Sequence, residues 1–459
     1  MPVLKRRQFL ASAAATALLP KPVLSFETTE VLEAAEGAVS LVSADYPDTR
    51  IWGYNGGVPG PEIRVQQGAR VQRRLVNSLP QPTTIHWHGI RIDNAMDGVP
   101  GVTQDAVPPN SSFEYDFEVP DAGTYWYHSH YNTTEQISRG LYGALIVEEP
   151  NAPEVDHDIT VVVDDWRLNQ EAQIDPDFSQ IHDWSHAGRL GNFLKATLTP
   201  ALTEVKQNQR LRLRFICVAT DRVMRLAMVG MEGKVVALDG MPLDTPTPAE
   251  LLTLGPAQRA DVIVDVTAET GGQAIIGFVG REGNIALASL DISGQASLAR
   301  RPEITPLPAN PIQRLTSLEG AQTVPLNMEG GAMGGLQYGT YKGQQMSTEE
   351  LIQNGQIWTL NGVAGLPDAP LAEVALGQTL RIPIINDTAF AHAMHMHGAH
   401  FQEVLSDGSF GPLLDTLLIE RQETREIAFT ASNPGDWVFH CHMLSHQAAG
   451  MITWIKVTV

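Results

Sequence analysis

Apolar residues in this chain recur at alternate positions over short runs, the period of a strand rather than of a helix. Leu211-Arg212-Leu213-Arg214-Phe215-Ile216-Cys217 shows the pattern most clearly, and Ile159–Val163, Arg210–Cys217, Ala260–Val266 and Ile452–Val459 read as strands. Gly, Pro, Asn and Asp break the chain between such runs. No long stretch carries helical periodicity, and Ser347–Asn354 alone reads as a short helix. Many short strands separated by turn signals predict an all-β protein built of sandwiches or barrels.

A repeat divides the chain. Glu62-Ile63-Arg64-Val65 leads to Gly68, and nine residues later comes Asn77; Glu204-Val205 leads to Asn208 and then Cys217; Glu373-Val374 leads to Gly377 and then Asn386. Nine residues further the first copy reaches His86-Trp87-His88-Gly89 and the third His395-Met396-His397-Gly398. The middle copy reaches Leu226-Ala227-Met228 instead. A second echo places Gly123 five residues before His128-Ser129-His130, and Gly435 five before His440-Cys441-His442. Both then pass a glycine, Gly140 or Gly450, into an apolar strand. Prolines mark the joins, at Pro150–Pro153 and across Arg301–Pro311. The expected organisation is a leader over 1–25, units at 26–150, 151–298 and 326–459, and a linker at 299–325.

The repeat positions carry the chemistry. Ten of the fourteen histidines fall in four clusters: His86/His88, His128/His130, His392/His395/His397 and His440/His442/His446. Alternation along a strand turns Cys441 to one side and His440 and His442 to the other. His446 and Met451 lie beyond, where a loop can return them to the Cys441 side. Imidazoles with a single thiolate suit copper better than zinc or an iron–sulfur cluster, and Cys, His and a weak axial Met form a blue-copper electron-transfer set. The stretch reads as a wire, entered at Cys441 and left through the adjacent histidines. Cys217, the other cysteine, reads as a small buried hydrophobe.

Charge and leader narrow the setting. A net charge of −21 argues against nucleic acid or an anionic membrane as partner. Lys5-Arg6-Arg7-Gln8-Phe9-Leu10 followed by the short apolar run Ala11–Leu19 resembles a twin-arginine export leader, which implies a periplasmic or secreted protein exported already folded. That run is too short to span a bilayer.

The four motifs and the silent middle copy together resemble a three-domain multicopper oxidase of the laccase-like class. The resemblance covers essentially everything after the leader and implies three consecutive cupredoxin-like Greek-key domains, four coppers and a monomer. By position, type 1 copper takes His392, Cys441 and His446 with Met451 axial, and type 2 takes His86 and His395. One type 3 ion takes His88, His128 and His442; the other takes His130, His397 and His440. Asp97 resembles the family's carboxylate near the cluster, a proton source. Two departures stand out: Ala393 where proline is usual, and Gln447 where several bacterial relatives carry Glu. An amide cannot donate a proton as a carboxylic acid does.

The implied reaction couples one-electron oxidation of phenols or aromatic amines to four-electron reduction of O2 to water. A second reading is a periplasmic cuprous oxidase of copper tolerance, towards which the Met328/Met333/Met346 span gives a thin signal. A copper-free structural or cell-division factor is a third, disfavoured by the complete ligand set. His157, His182, His186 and His400 carry no implied metal role.

Overall fold

The computed structural model describes residues 30–281 and 283–459, so the expected leader lies outside the described residues. Each repeat copy folds the same way. The strands Gly60–Gln66, Glu204–Gln207 and Ala372–Ala375 are each followed by a residue at positive φ (Gly68 +77°, Asn208 +67°, Gly377 +84°). Gly and Asn tolerate this left-handed backbone best, which is why these residues recur there. The chain then turns into Arg70–Asn77, Arg210–Cys217 and Thr379–Asn386.

In every copy the strand before the turn lies parallel to the last strand of its unit, with Ile63 opposite Leu145, Val205 opposite Ile292 and Val374 opposite Val457. That last strand pairs with its predecessor, which pairs with the strand holding the repeat's third landmark: His86–His88, Met224–Val229 or His392–Met396. A second sheet completes each sandwich: four strands in the first unit, six in the middle and a larger sheet in the third. The result is three cupredoxin-like β-sandwiches, as expected.

Other sequence expectations meet the structure in detail. The predicted strands appear as His157–Trp166, Arg210–Cys217, Arg259–Val266 and Ile452–Thr458. The predicted helix is Thr348–Gln353, started by a capping box between Ser347 and Glu350. Within 299–325 the chain adds one two-residue strand, Gln322–Thr323, beside Thr379–Asn386. Cys217 is buried and unpaired.

The hydrophobic core positions the site. Leu32, Trp87 and Tyr127 of the first sandwich belong to one cluster with Met394, Phe439, Cys441 and Met451 of the third, while the middle sandwich keeps its own core. The arginine face of Arg210–Cys217 is buried as well. Arg212 reaches Glu149 of the first sandwich (2.6 Å) and Asp261 (2.6 Å), and Arg214 reaches Asp158 (2.6 Å).

Candidate metal centre

At the end of strand Gly435–Cys441, consecutive residues enter two different groups of donors. Cys441 joins His392, the first residue of strand His392–Met396, and His446, on the short helix Leu444–Ala448. Cys441 Sγ lies 3.6 Å from His392 Nδ1 and 3.9 Å from His446 Nδ1, and those nitrogens are 3.0 Å apart. Their far nitrogens are tied. His446 Nε2–H donates to the His186 carbonyl (2.7 Å). His392 Nε2–H donates to Thr388 Oγ1 (2.9 Å), whose own proton goes to Asn386 (2.7 Å). Both Nδ1 lone pairs therefore face the thiol. Met451 is fully buried, and its carbonyl accepts the Cys441 N–H (3.0 Å).

The remaining eight histidines converge between the first and third sandwiches. His86 faces His128 across one sheet, and His395 faces His440 across the other. Donor nitrogens come within 4.8 Å of one another in three sets: His86/His88/His395, His88/His128/His442 and His130/His397/His440. Five rings are anchored through Nδ1–H, and so present Nε2: His86 to the Asp97 carbonyl (2.9 Å), His128 to Ser129 (2.9 Å), His395 to Asp415 (3.0 Å), His440 to Cys441 (2.9 Å) and His397 to the Asp97 carboxylate (2.9 Å). His88 is reversed: its Nε2–H donates to Asp415 Oδ1 (3.2 Å), which leaves Nδ1 free.

These donors fit copper. Nε2 of His86, His130 and His395 and Nδ1 of His88 are buried with no hydrogen-bond partner in the protein. Buried polar atoms are ordinarily paired, so four orphans aimed into one space call for an electrophile there. Burial pushes His446 down to about 4 and His440 down to about 3, the latter helped by neighbouring His395. It holds His88, His128, His130, His392, His397 and His442 well below the usual imidazole range. Neutral imidazoles are the ligating form.

Sequence reasoning missed the supports. Asp415, after the third His-x-His, holds His88 through its side chain and His395 through its carbonyl. Burial would raise this carboxyl, but the Arg259 guanidinium, bidentate at 2.8 and 2.6 Å, holds it well below the usual range. Asp239 accepts the main-chain N–H groups of Arg259, Asp415 and Thr416 (3.0, 3.2 and 3.1 Å). Both Asp239 and Arg259 belong to the middle sandwich. The one local signal was Gly89, where a Cβ would lie 2.3 Å from the Arg259 guanidinium.

Asp97 is buried, bonded to His86 and His397 as described. Gln447 accepts a hydrogen bond from Thr133 (2.7 Å), and the Ala393 carbonyl accepts the His442 N–H (2.6 Å). His400 is buried against the Asp239 carbonyl (3.3 Å), and the rings of His182 and His186 stack 4.1 Å apart.

Three multicopper oxidase domain models match the chain, over residues 38–152, 156–279 and 340–459. The chain belongs to the multicopper oxidase family, whose members are copper-dependent oxidoreductases using O2. It is 31% identical to the multicopper oxidase MmcO of Mycobacterium tuberculosis, across 87% of this chain and 82% of that one. It is 26% identical to the copper resistance protein A homolog of Pseudomonas syringae pv. tomato, across 88% of each. Among solved structures, Lac15 from a marine microbial metagenome superposes with a TM-score of 0.78 at 41% identity, covering 94% of this chain and all of that one.

Proposed function

We propose that the protein oxidises phenols or aromatic amines one electron at a time at a type 1 copper and reduces O2 to water at a trinuclear copper cluster. The type 1 ligands are His392, Cys441 and His446, with Met451 axial. Type 2 copper is held by His86 and His395, and the type 3 pair by His88/His128/His442 and His130/His397/His440. Bound there, copper supplies one-electron relay at the first site and four-electron delivery to O2 at the second.

One observation carries the reading: His440, Cys441 and His442 are consecutive, yet Cys441 groups with His392 and His446 while His440 and His442 enter two sets of the histidine cluster. The Cys441 carbonyl accepts the His440 Nδ1–H, so thiolate and cluster ligand are joined through bonds as well as through space. Asp97 holds one ligand from each outer sandwich and is the carboxylate best placed to pass protons to the cluster. A cavity of about 190 Å³ opens beside the type 1 group, lined by the apolar Leu190, Val223, Phe390, Ala391 and Met443 and by the charged Asp221 and Arg222. A mostly apolar wall with two charged groups suits an aromatic ring that carries a hydroxyl or amine.

Cu(I) is a second donor class. An exposed thioether at Met333 and the named copper-resistance relative favour it. We also assign the cupredoxin units to 26–150, 151–298 and 326–459, and export of the folded monomer by the twin-arginine route to the periplasm or beyond. Among the described residues no helix is long and apolar enough to cross a membrane.

Metal analysis and oxygen uptake test the reading together. The loaded protein should hold about four coppers, as its ligand sets require, and consume one O2 per four molecules of a methoxyphenol. Cys441→Ser should lose both the blue absorption and turnover. A chain that binds no copper under loading conditions is the structural factor instead.

A further inference from the structure

The middle sandwich holds His446 at both ends of the residue. Its helix Ile181–Ser185 stops beside the imidazole, and a helix end leaves carbonyls without intrahelical partners. Three consecutive carbonyls there are taken by groups of the third sandwich. That of Trp184 accepts Trp358 Nε1–H (2.6 Å), that of Ser185 accepts the Ala332 N–H (2.7 Å), and that of His186 accepts His446 Nε2–H (2.7 Å). The Trp358 indole packs 4.5 Å from the His446 ring.

The main chain of His446 is tied as well. It belongs to the helix Leu444–Ala448, whose N-cap residue Met443 makes no side-chain cap. The first N–H groups of a helix have no partner within it. Here two consecutive residues of the middle sandwich accept them. The Thr220 carbonyl takes the Leu444 N–H (2.9 Å), and Asp221 Oδ1 takes the Ser445 N–H (3.0 Å). Asp221 Oδ2 accepts the Ser445 hydroxyl (2.9 Å) and the Arg189 N–H (3.0 Å). Asp221 thus does from another domain what an N-cap aspartate does locally, and it is buried with both oxygens engaged.

The two holds are one piece. Gly188 lies between His186 and Arg189 at a φ of +88°. A Cβ there would come 2.3 Å from Asp221 Cβ and Cγ, so the turn lies flat on that side chain. Arg189 fixes the turn to its own domain. Its guanidinium donates to the carbonyls of Asp175 (2.6 Å) and Asp177 (2.9 Å) and lies 4.3 Å over the Phe178 ring. The His186 carbonyl, Gly188, Asp221 and Ser445 therefore close a clamp on His446, built by a domain that supplies none of the proposed ligands.

We infer that this clamp positions His446 for the type 1 copper, with Asp221 as its positioning residue. The inference rests on the oxidase reading above and gives the middle sandwich a part in it. Groups that orient a metal ligand tune the metal it holds. A ligand fixed at its far ring nitrogen and along its main chain has little freedom to move between the two oxidation states of a bound ion, which suits one-electron exchange.

Three substitutions in the copper-loaded protein test it. Asp221→Asn keeps the shape and one acceptor oxygen, but its NH2 group cannot accept from the Ser445 hydroxyl or the Arg189 N–H. Gly188→Ala keeps the carboxylate and displaces it. Both should shift the blue absorption maximum and the type 1 hyperfine splitting in electron paramagnetic resonance. Both should also weaken retention of type 1 copper against a chelator by about 10–100-fold, with type 3 absorption unmoved. Ser445→Ala removes one hydroxyl and leaves the carboxylate in place, so it decides the matter where a larger change prevents folding. It should shift the same type 1 signals by less. Type 1 signals and copper retention equal to wild type in the folded variants overturn the clamp and leave the oxidase reading standing. Equal losses of type 1 and type 3 copper overturn it too, as general loosening. A wild type with no type 1 signal sinks the reading and the clamp together.

Discussion

Where the first sandwich sets His86 opposite His128 and the third sets His395 opposite His440, the middle one sets Leu226 opposite Phe278. The strand order around these pairs is the same in all three. The difference therefore lies in side chains on a shared backbone frame, and it shows how one β unit serves two purposes. In the outer units the positions facing a neighbouring domain carry imidazoles; in the middle unit they close a private core. The middle unit acts on the metal sites from outside. It sends Arg259 and Asp239 to Asp415 beneath the cluster, and the carbonyls of Trp184, Ser185 and His186 over the type 1 group.

Exchanging one residue at equivalent positions breaks the comparison most sharply. His395→Ala should abolish oxygen uptake and strip type 2 copper while the protein stays folded. Leu226→Ala should keep its copper and its blue absorption but lose about 2–5 kcal/mol of stability, the usual cost of truncating a buried leucine. Metal analysis and thermal unfolding of the two variants give the answer. Copper loss from Leu226→Ala at a temperature where it is folded would mean that the middle unit is not silent.

Asp97→Asn tests the support inside the outer units. The amide preserves shape but cannot carry a proton as an acid does, and positioned acid–base groups contribute roughly 10²–10⁴-fold. Turnover should fall by about 10²-fold at unchanged blue absorption, read by stopped-flow reoxidation against O2. Arg259→Met tests the support sent by the middle unit. Removing one partner of a buried ion pair costs about 3–5 kcal/mol, and losing an outer-sphere partner of a metal ligand weakens metal binding by about 10–100-fold. Copper should dissociate more readily from the His88/His128/His442 site, whose His88 the Asp415 carboxylate holds, seen as weakened type 3 absorption and a lower copper count, while the type 1 spectrum is retained.

These residues also mark where the sequence stops being legible. The four histidine clusters and Cys441 stand out by their spacing, because period-two alternation fixes which side of a strand each faces, while the full set of twelve ligands is what the resemblance to the family implies. Asp415 and Arg259 are single charged residues in ordinary strand surroundings, and their partners lie 156 positions apart. The same limit applies to Arg212 and Arg214. Alternation of Leu and Arg predicts one buried and one wet face, but the second face is an interface with the first sandwich. His186 acts through its carbonyl, which every residue has, so no residue type could have signalled it.

The smallest effect concerns pH, and it separates the units by the kind of group they bury. The outer units bury a cluster of imidazoles; the middle one buries carboxyls and arginines together. Burial pushes Asp164 up to about 7, although Tyr142 of the first sandwich donates a hydrogen bond to it. Asp221 and Asp239 move the same way, to about 6 and about 7, chiefly by burial. For Asp164 the folded value exceeds the unfolded one of about 3.9. Between those two values the folded state binds more protons, so the stability this group contributes is complete below about pH 4 and is lost as pH rises towards 7. Asp164→Asn cannot titrate. Its Oδ1 can still accept from Tyr142 or from the Asp165 N–H, so it forfeits one hydrogen bond at every pH and the whole pH dependence of this position. Between pH 5 and pH 8 the unfolding midpoint of the copper-loaded wild type should therefore fall further than that of the variant, by a few degrees. Equal falls in the two proteins would assign the slope elsewhere, to Asp221 or Asp239, and the same pair of scans on Asp221→Asn would then locate it.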